Sequence, residues 1–119
     1  MYEPEEFQRP SLDLGAGGGA FAKLLDCRFD MALDPDPERI GSLRSSNMHD
    51  HIVTASGEKM PLSDATFGTV VSNSVIEHVE NPGVVLSEAW RVLRSGGSLW
   101  LTVPTPEKRA RLHLSLIHI

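Results

Sequence analysis

"LDLGAGGGAFAKLL" (residues 12–25) sets one acidic residue, Asp13, ahead of a run of glycine and alanine that leads into an apolar helical pattern. Three readings are open for such a stretch: a flexible linker, a glycine-rich helix start, or the floor of a nucleotide site. A carboxylate in a central strand is costly if it faces the core. Two residues before a tight turn, Asp13 can instead point into a crevice. Gly15, Gly17 and Gly19 then let backbone and ligand approach without intervening Cβ atoms. The N–H groups that open the following helix favour an anionic group at that place, a carboxylate or a phosphate.

The flanks speak against a linker. Residues 11–14 read as a short strand, and Gly19 to Leu25 as a short helix with Phe21, Leu24 and Leu25 on one face. Residues 28–33 form a second strand, stopped by "DPDP" (34–37), and Pro37 to Arg44 a helix with Ile40 and Leu43 buried. "HIVTAS" (51–56) and "FGTVVSNS" (67–74) are strands three and four, separated by the loop "GEKMPLSDAT" (57–66). Asn81-Pro82 opens a helix through Leu93, with Val85, Leu86, Ala89, Val92 and Leu93 at helical spacing and Gly96-Gly97 as its stop. "SLWLTV" (98–103) is the fifth strand, closed by Pro104. Strands alternating with helices predict parallel βαβ units, right-handed crossovers and a sheet covered on both faces. In such sheets the ligand lies beyond the carboxyl ends of the strands.

Asp34 ends the second strand nineteen residues after Gly15, the usual distance to an acid that accepts both hydroxyls of a ribose diol. Hydrogen bonds to a charged group contribute roughly 1.5–3 kcal/mol net, so that contact would matter. Helix capping and turn chemistry in "DPDP" are the competing explanations, and Asp36 suits them better. Gly15-x-Gly17-x-x-Ala20 also satisfies the dinucleotide pattern, so a nicotinamide-dependent oxidoreductase stays open at this point.

The bulk properties bound the rest. The chain of 119 residues has room for one hydrophobic core, and its 40% apolar and 23% charged content is that of a globular protein. A net charge of −5 offers no basic footprint for nucleic acid or anionic lipid, so we expect no nucleic-acid and no membrane partner and a small-molecule substrate. The single Cys27 excludes an internal disulfide and suits a reducing, cytoplasmic compartment. Met1 to Pro10 lacks the apolar stretch of a signal peptide, and no apolar run reaches membrane-spanning length.

Taken together, "LDLGAGGG", "ALDPDPERI" and "GEKMPLSDATFGTVVSNSVIEHVENPGVVLSEAWRVLRSGGSLWLTVP" resemble the class I S-adenosylmethionine-dependent methyltransferases, and within them the "type 11" group. The resemblance covers nearly all of residues 11–104. Its motifs are acidic-x-Gly-x-Gly-x-Gly, the acidic end of strand two, Glu-x-hydrophobic-Pro, Glu-His-Val…Pro and Arg-Val-Leu-x-x-Gly-Gly. It implies an α/β, Rossmann-like, open and mostly parallel sheet of strand order 3-2-1-4-5 with flanking helices, and S-adenosyl-L-methionine as cofactor.

By that resemblance Asp13, Gly15, Ala16 and Gly17 hold the methionine end of the cofactor, Asp34 the ribose hydroxyls, and Pro35 lies near the adenine. Ser56, Gly57, Glu58 and Met60 match the loop that reads the adenine edge and packs on its face; Asn73 sits beside the sulfonium. His78 borders the substrate pocket as the candidate catalytic base, with simple packing as its competing role. Two departures stand out. Ser56 replaces a common aspartate and so weakens the acceptor for the adenine amino group. Gly68 replaces another aspartate, a change expected to cost stability. Some relatives use a Glu-x-x-Glu-His metal cluster; with Ser74 in the first place beside Glu77 and His78, no metal is expected. Trp90 and Trp100 read as core, and Glu88 with Arg91 as a solvated surface ion pair.

Complete members of the family carry a helical segment before the first strand and an antiparallel strand pair after the fifth. The expected organisation here is an N-terminal extension (1–10), a partial cofactor-binding core (11–104) and a tail (105–119). On this reading the chain is a truncated cofactor half that lacks the final antiparallel pair and exposes the edge of strand five. The tail alternates like a strand, and its closing "LSLIHI" resembles translated adapter sequence rather than native protein.

Overall fold

Strands of alternating pattern pair here around the segment that carries Asp13. The computed structural model describes residues 7–73, 78–104 and 109–115. It contains β1 (Ser11–Leu14), α1 (Ala20–Leu25), β2 (Phe29–Asp34), a 3-10 turn (Pro37–Arg39) running into α2 (Ile40–Ser46), β3 (His49–Thr54), β4 (Phe67–Asn73), α3 (Pro82–Val92), β5 (Leu93–Pro104) and β6 (Arg109–Ser115). The sheet order is β3-β2-β1-β4-β5-β6. The first five strands are parallel, which gives the expected Rossmann-like order 3-2-1-4-5.

The period-two alternation of the strands explains why both faces are covered. Leu12, Leu14, Leu33, Val70, Leu99 and Leu101 meet Val85, Ala89 and Val92 of α3 on one side. Val71 and Trp100 turn the other way, against Ala22 of α1 and Phe29. Ala32 packs with Ala16 and Leu43 of α2. Phe7 extends the second cluster, its ring centroid 6.0 Å from that of Phe29 and 5.6 Å from that of Trp100.

Several expectations are corrected. The sheet does not end at β5: β6 pairs antiparallel along it from Ser98↔Ser115 to Pro104↔Arg109. The alternating tail thus supplies an antiparallel strand and covers the β5 edge. α3 stops at Val92, one residue short of the expected Leu93, which already takes extended backbone; the N–H groups of Ala65 and Thr66 take the carbonyls of Arg91 and Val92 at 2.9 and 2.8 Å. Residues 94–97 are then passed over between the pairs Phe67↔Leu93 and Thr69↔Ser98. Leu24 is 82% exposed and Trp90 48% exposed, so neither joins the core, whereas Trp100 does.

Gly68 is the opposite of a defect. A Cβ there would lie 2.9 Å from Cβ of Gln8 and 3.0 Å from the Gln8 carbonyl oxygen. The missing side chain lets the segment before β1 cross over β4, where Pro10 O accepts from Gly68 N at 2.9 Å. Arg9 pairs with Asp30 beside it, and Asp30 also accepts from Ser11 N at 2.7 Å. The guanidinium and these hydrogen bonds hold the Asp30 carboxyl below its ordinary range.

Candidate cofactor site

The glycine turn is bound to the end of β2. Gly15 N and Ala16 N both donate to Leu33 O, at 2.7 and 3.3 Å. Gly17 N donates to Asp34 Oδ2 at 2.8 Å, and Asp36 N donates to Oδ1 at 3.0 Å. Gly17 has φ +59°, a conformation that a Cβ disfavours, and an added Cβ would sit 2.9 Å from Arg39 Nη1. Arg39 Nη1 in turn lies 3.9 Å from Asp34 Oδ2. Asp34 is therefore buried, with one backbone donor on each oxygen and one lone pair on each still able to accept. Asp36, not Asp34, caps the following turn, accepting from Glu38 N at 2.9 Å. Within the turn, Gly19 N donates to Ala16 O at 3.1 Å.

Asp13 does not point into the crevice, contrary to what the sequence suggested. Its carboxylate is buried and meets His49 Nε2 at 2.8 Å, the two side chains being 2% and 0% exposed. Leu14 next to it faces the α3 side. Burial pushes the Asp13 carboxyl up, and the hydrogen bond and charge of His49 oppose that rise. His49 is stacked on Phe29 at 5.8 Å and 17°. The sequence reading missed His49; asking which residue could neutralise a carboxylate inside β1 would have found it.

Beyond the carboxyl ends of β1 and β2 lies a cavity of about 200 Å³. Its walls are apolar, from Leu14, Leu33, Pro35, Val79 and Val85, and its polar edge is the loop Ser56-Gly57-Glu58. The structure thus brings together five of the residues singled out from the sequence: Gly15, Pro35, Ser56, Gly57 and Glu58. Others fall elsewhere. Ala16 is buried against Ala32 and Leu43. Met60 is buried in the α3-side core and does not line the cavity. Asn73 ends β4 half-buried, outside the cavity lining, and His78 is exposed, next to the lining residue Val79. Ser74 and Glu77 lie outside the described residues.

Glu88 and Arg91 are more than a surface pair. Glu88 Oε1 accepts from Met60 N at 2.8 Å, and Arg91 donates to Met60 O, Leu62 O and Asp64 Oδ1 at 3.0, 2.7 and 2.7 Å. Arg91 Nε also donates to Glu88 Oε2 at 2.6 Å. Together they fasten the loop after β3 to α3 and so hold the polar edge of the cavity in place. The Arg91 hydrogen bonds keep the Glu88 carboxyl below its ordinary range and the guanidinium above its own.

Comparison with known proteins gives the family and the fold. The pattern of the methyltransferase domain family matches residues 12–101. An uncharacterized protein of Methanocaldococcus jannaschii is 32% identical over 88 residues, covering 74% of this chain and 41% of the relative. A Mycobacterium tuberculosis protein described as a probable S-adenosylmethionine-dependent methyltransferase is 34% identical over 98 residues, 81% of this chain and 36% of the relative. Among solved structures, a SAM-dependent methyltransferase of Thermotoga maritima superposes with a TM-score of 0.73 at 26% identity, over 82% of this chain and 45% of that one. The chain spans 41% and 36% of the length of these two curated relatives. Most of its length carries the family pattern, and the glycine turn that alone fitted two cofactor classes takes its meaning from the whole: the chain belongs to the methyltransferase domain family.

Proposed function

We propose that the chain is the cofactor-binding core of a class I S-adenosylmethionine-dependent methyltransferase that acts on a small molecule with an oxygen, nitrogen or carbon nucleophile. The observation that carries the reading is the cavity at the strand ends, next to a glycine turn bound to Asp34, in a chain of this family. The residues suit the cofactor. An apolar cavity of about 150 Å³ already accommodates benzene, so about 200 Å³ with one polar edge suits a purine ring. Leu14, Leu33, Pro35, Val79 and Val85 would enclose the ring, with Ser56, Gly57 and Glu58 along its edge. Asp34 would accept the ribose hydroxyls on its remaining lone pairs, and Gly15 and Gly17 leave room for the amino-acid end. Asp13 and Met60 support the site from within the core.

When bound, S-adenosyl-L-methionine supplies a methyl group on a cationic sulfur, so the protein's main task is to place donor and acceptor in line. Asn73 at the end of β4 belongs beside that centre, and His78 beside the acceptor, where an imidazole can take a proton from a hydroxyl or amine. The core comprises residues 11–104, with 1–10 an extension and 105–119 a tail; the setting is cytoplasmic.

Titration calorimetry with S-adenosylhomocysteine tests the reading. The wild-type chain is expected to bind, and Asp34→Ala to bind about ten- to hundredfold more weakly, the equivalent of roughly 1.5–3 kcal/mol. No binding by the wild type refutes the function. Equal binding by both refutes the ribose role of Asp34.

A further inference from the structure

We infer that Asn81, at the entry to α3, positions the Glu58 carboxylate as the specificity determinant for an amino-bearing purine, a role that Ser56 fills only as a weaker, neutral acceptor. The inference rests on the cofactor reading above. Ser56 is the obvious polar group of the cavity edge, yet its Oγ already accepts from Glu58 N at 3.1 Å. That bond takes one of the two lone pairs of a neutral hydroxyl, so Ser56 offers an exocyclic amine a single, uncharged acceptor site, weaker than a carboxylate. Glu58, the other polar side chain lining the cavity, is acceptor-only when ionised.

Asn81 stands at the N-cap position of α3, where an asparagine ordinarily accepts a backbone N–H of the first turn. Here it makes no such side-chain bond. Its Nδ2 donates instead to Glu58 Oε1 at 2.7 Å. One amide thus takes one carboxylate oxygen and leaves Oε2 to accept. The bridge joins the two walls of the cavity, the loop after β3 and the segment of Val79 and Val85 before and within α3. Gly57 keeps these walls close: a Cβ there would lie 3.3 Å from Val85 Cγ1. A fixed carboxylate acceptor facing apolar walls discriminates between a ring substituent that donates and one that accepts, because the wrong partner leaves the carboxylate facing an oxygen lone pair.

The test compares S-adenosylhomocysteine with S-inosylhomocysteine, in which an oxo group replaces the amine, by titration calorimetry on the 119-residue chain. The wild type is expected to prefer the adenosyl ligand by about tenfold or more. Asn81→Ala should lose most of that preference by weakening only the adenosyl ligand, while its melting temperature stays within about 2 °C of wild type, since no cap bond is removed. Asn81→Asp, which keeps a capping side chain but sets carboxylate against carboxylate, should lose the preference as well. Asn81→Gln, which retains the amide donor, should restore part of it. Equal affinity of the wild type for both ligands, or an Asn81→Ala loss that is the same for both, overturns the inference and leaves the cofactor reading intact. Failure of the wild type to bind either ligand overturns both.

Discussion

Replacing His49 by phenylalanine isolates the most consequential buried contact of the fold. Phenylalanine keeps a ring stacked on Phe29 but removes the nitrogen that meets Asp13 at 2.8 Å. Both side chains are within 2% of full burial, so water cannot replace the lost partner. Breaking a buried pair from one side costs about 3–5 kcal/mol, a large part of the roughly 5–15 kcal/mol that a domain possesses. At this chain length the loss corresponds to a fall in melting temperature of roughly 10–20 °C. The pH dependence has a definite sign. Asp13 is raised by burial, and removing His49 takes away what opposes the rise. A raised carboxyl contributes stability that is full below the unfolded value near 3.9 and is lost as pH climbs through the folded value. The deficit of His49→Phe should therefore be largest at neutral pH and shrink toward about pH 4. The double variant Asp13→Val/His49→Phe replaces the pair with apolar groups and should recover most of the loss. Urea unfolding followed by circular dichroism at several pH values measures all of this. A cost under about 1 kcal/mol for His49→Phe, or a double variant no more stable than the single one, refutes the account of Asp13 as a buried, paired carboxylate.

Two further outcomes follow from local contacts. Gly68→Ala should destabilise by about 1–3 kcal/mol in urea unfolding, because its Cβ meets the Gln8 backbone as well as side chains that could move. Glu88 is held below its ordinary range, so the bridge it forms with Arg91 is complete above the usual carboxylate pH and is lost as pH falls through the depressed value. Arg91→Ala should abolish that acid-side step and render residues 57–66 sensitive to limited proteolysis while α3 persists.

The strand and helix order was legible because it depends on patterns that tertiary structure reinforces: β-branched runs in β4, the 3.6-residue period of α3, proline after β2. Helix ends were less so. Val92 ends α3 because Ala65 and Thr66 capture its last carbonyls, and those donors come from a loop remote in sequence. Leu24 fits the apolar face of a helix of six residues, too short to bury all of it, and stands exposed. Gly68 looked like a lost aspartate because only the path of residues 8–10 over β4 shows what a side chain there would strike.

The site divides along the same line. Gly15, Pro35, Ser56 and Gly57, singled out through the family resemblance, all line the cavity, since their places are set by strand ends and tight turns, which are written locally. Residues whose role depends on where a side chain turns do not follow spacing alone. Asp13 and Leu14 are neighbours on one strand, and the two-residue period sends them to opposite faces. An acidic residue two places before a glycine turn can therefore serve the ligand or brace the core, and its partner decides which. In this chain the partner is His49, thirty-six residues away and wholly buried. Asp34 is the carboxylate at the end of β2 beside the turn, held there by its contacts to Gly17 N and Asp36 N with acceptor capacity to spare.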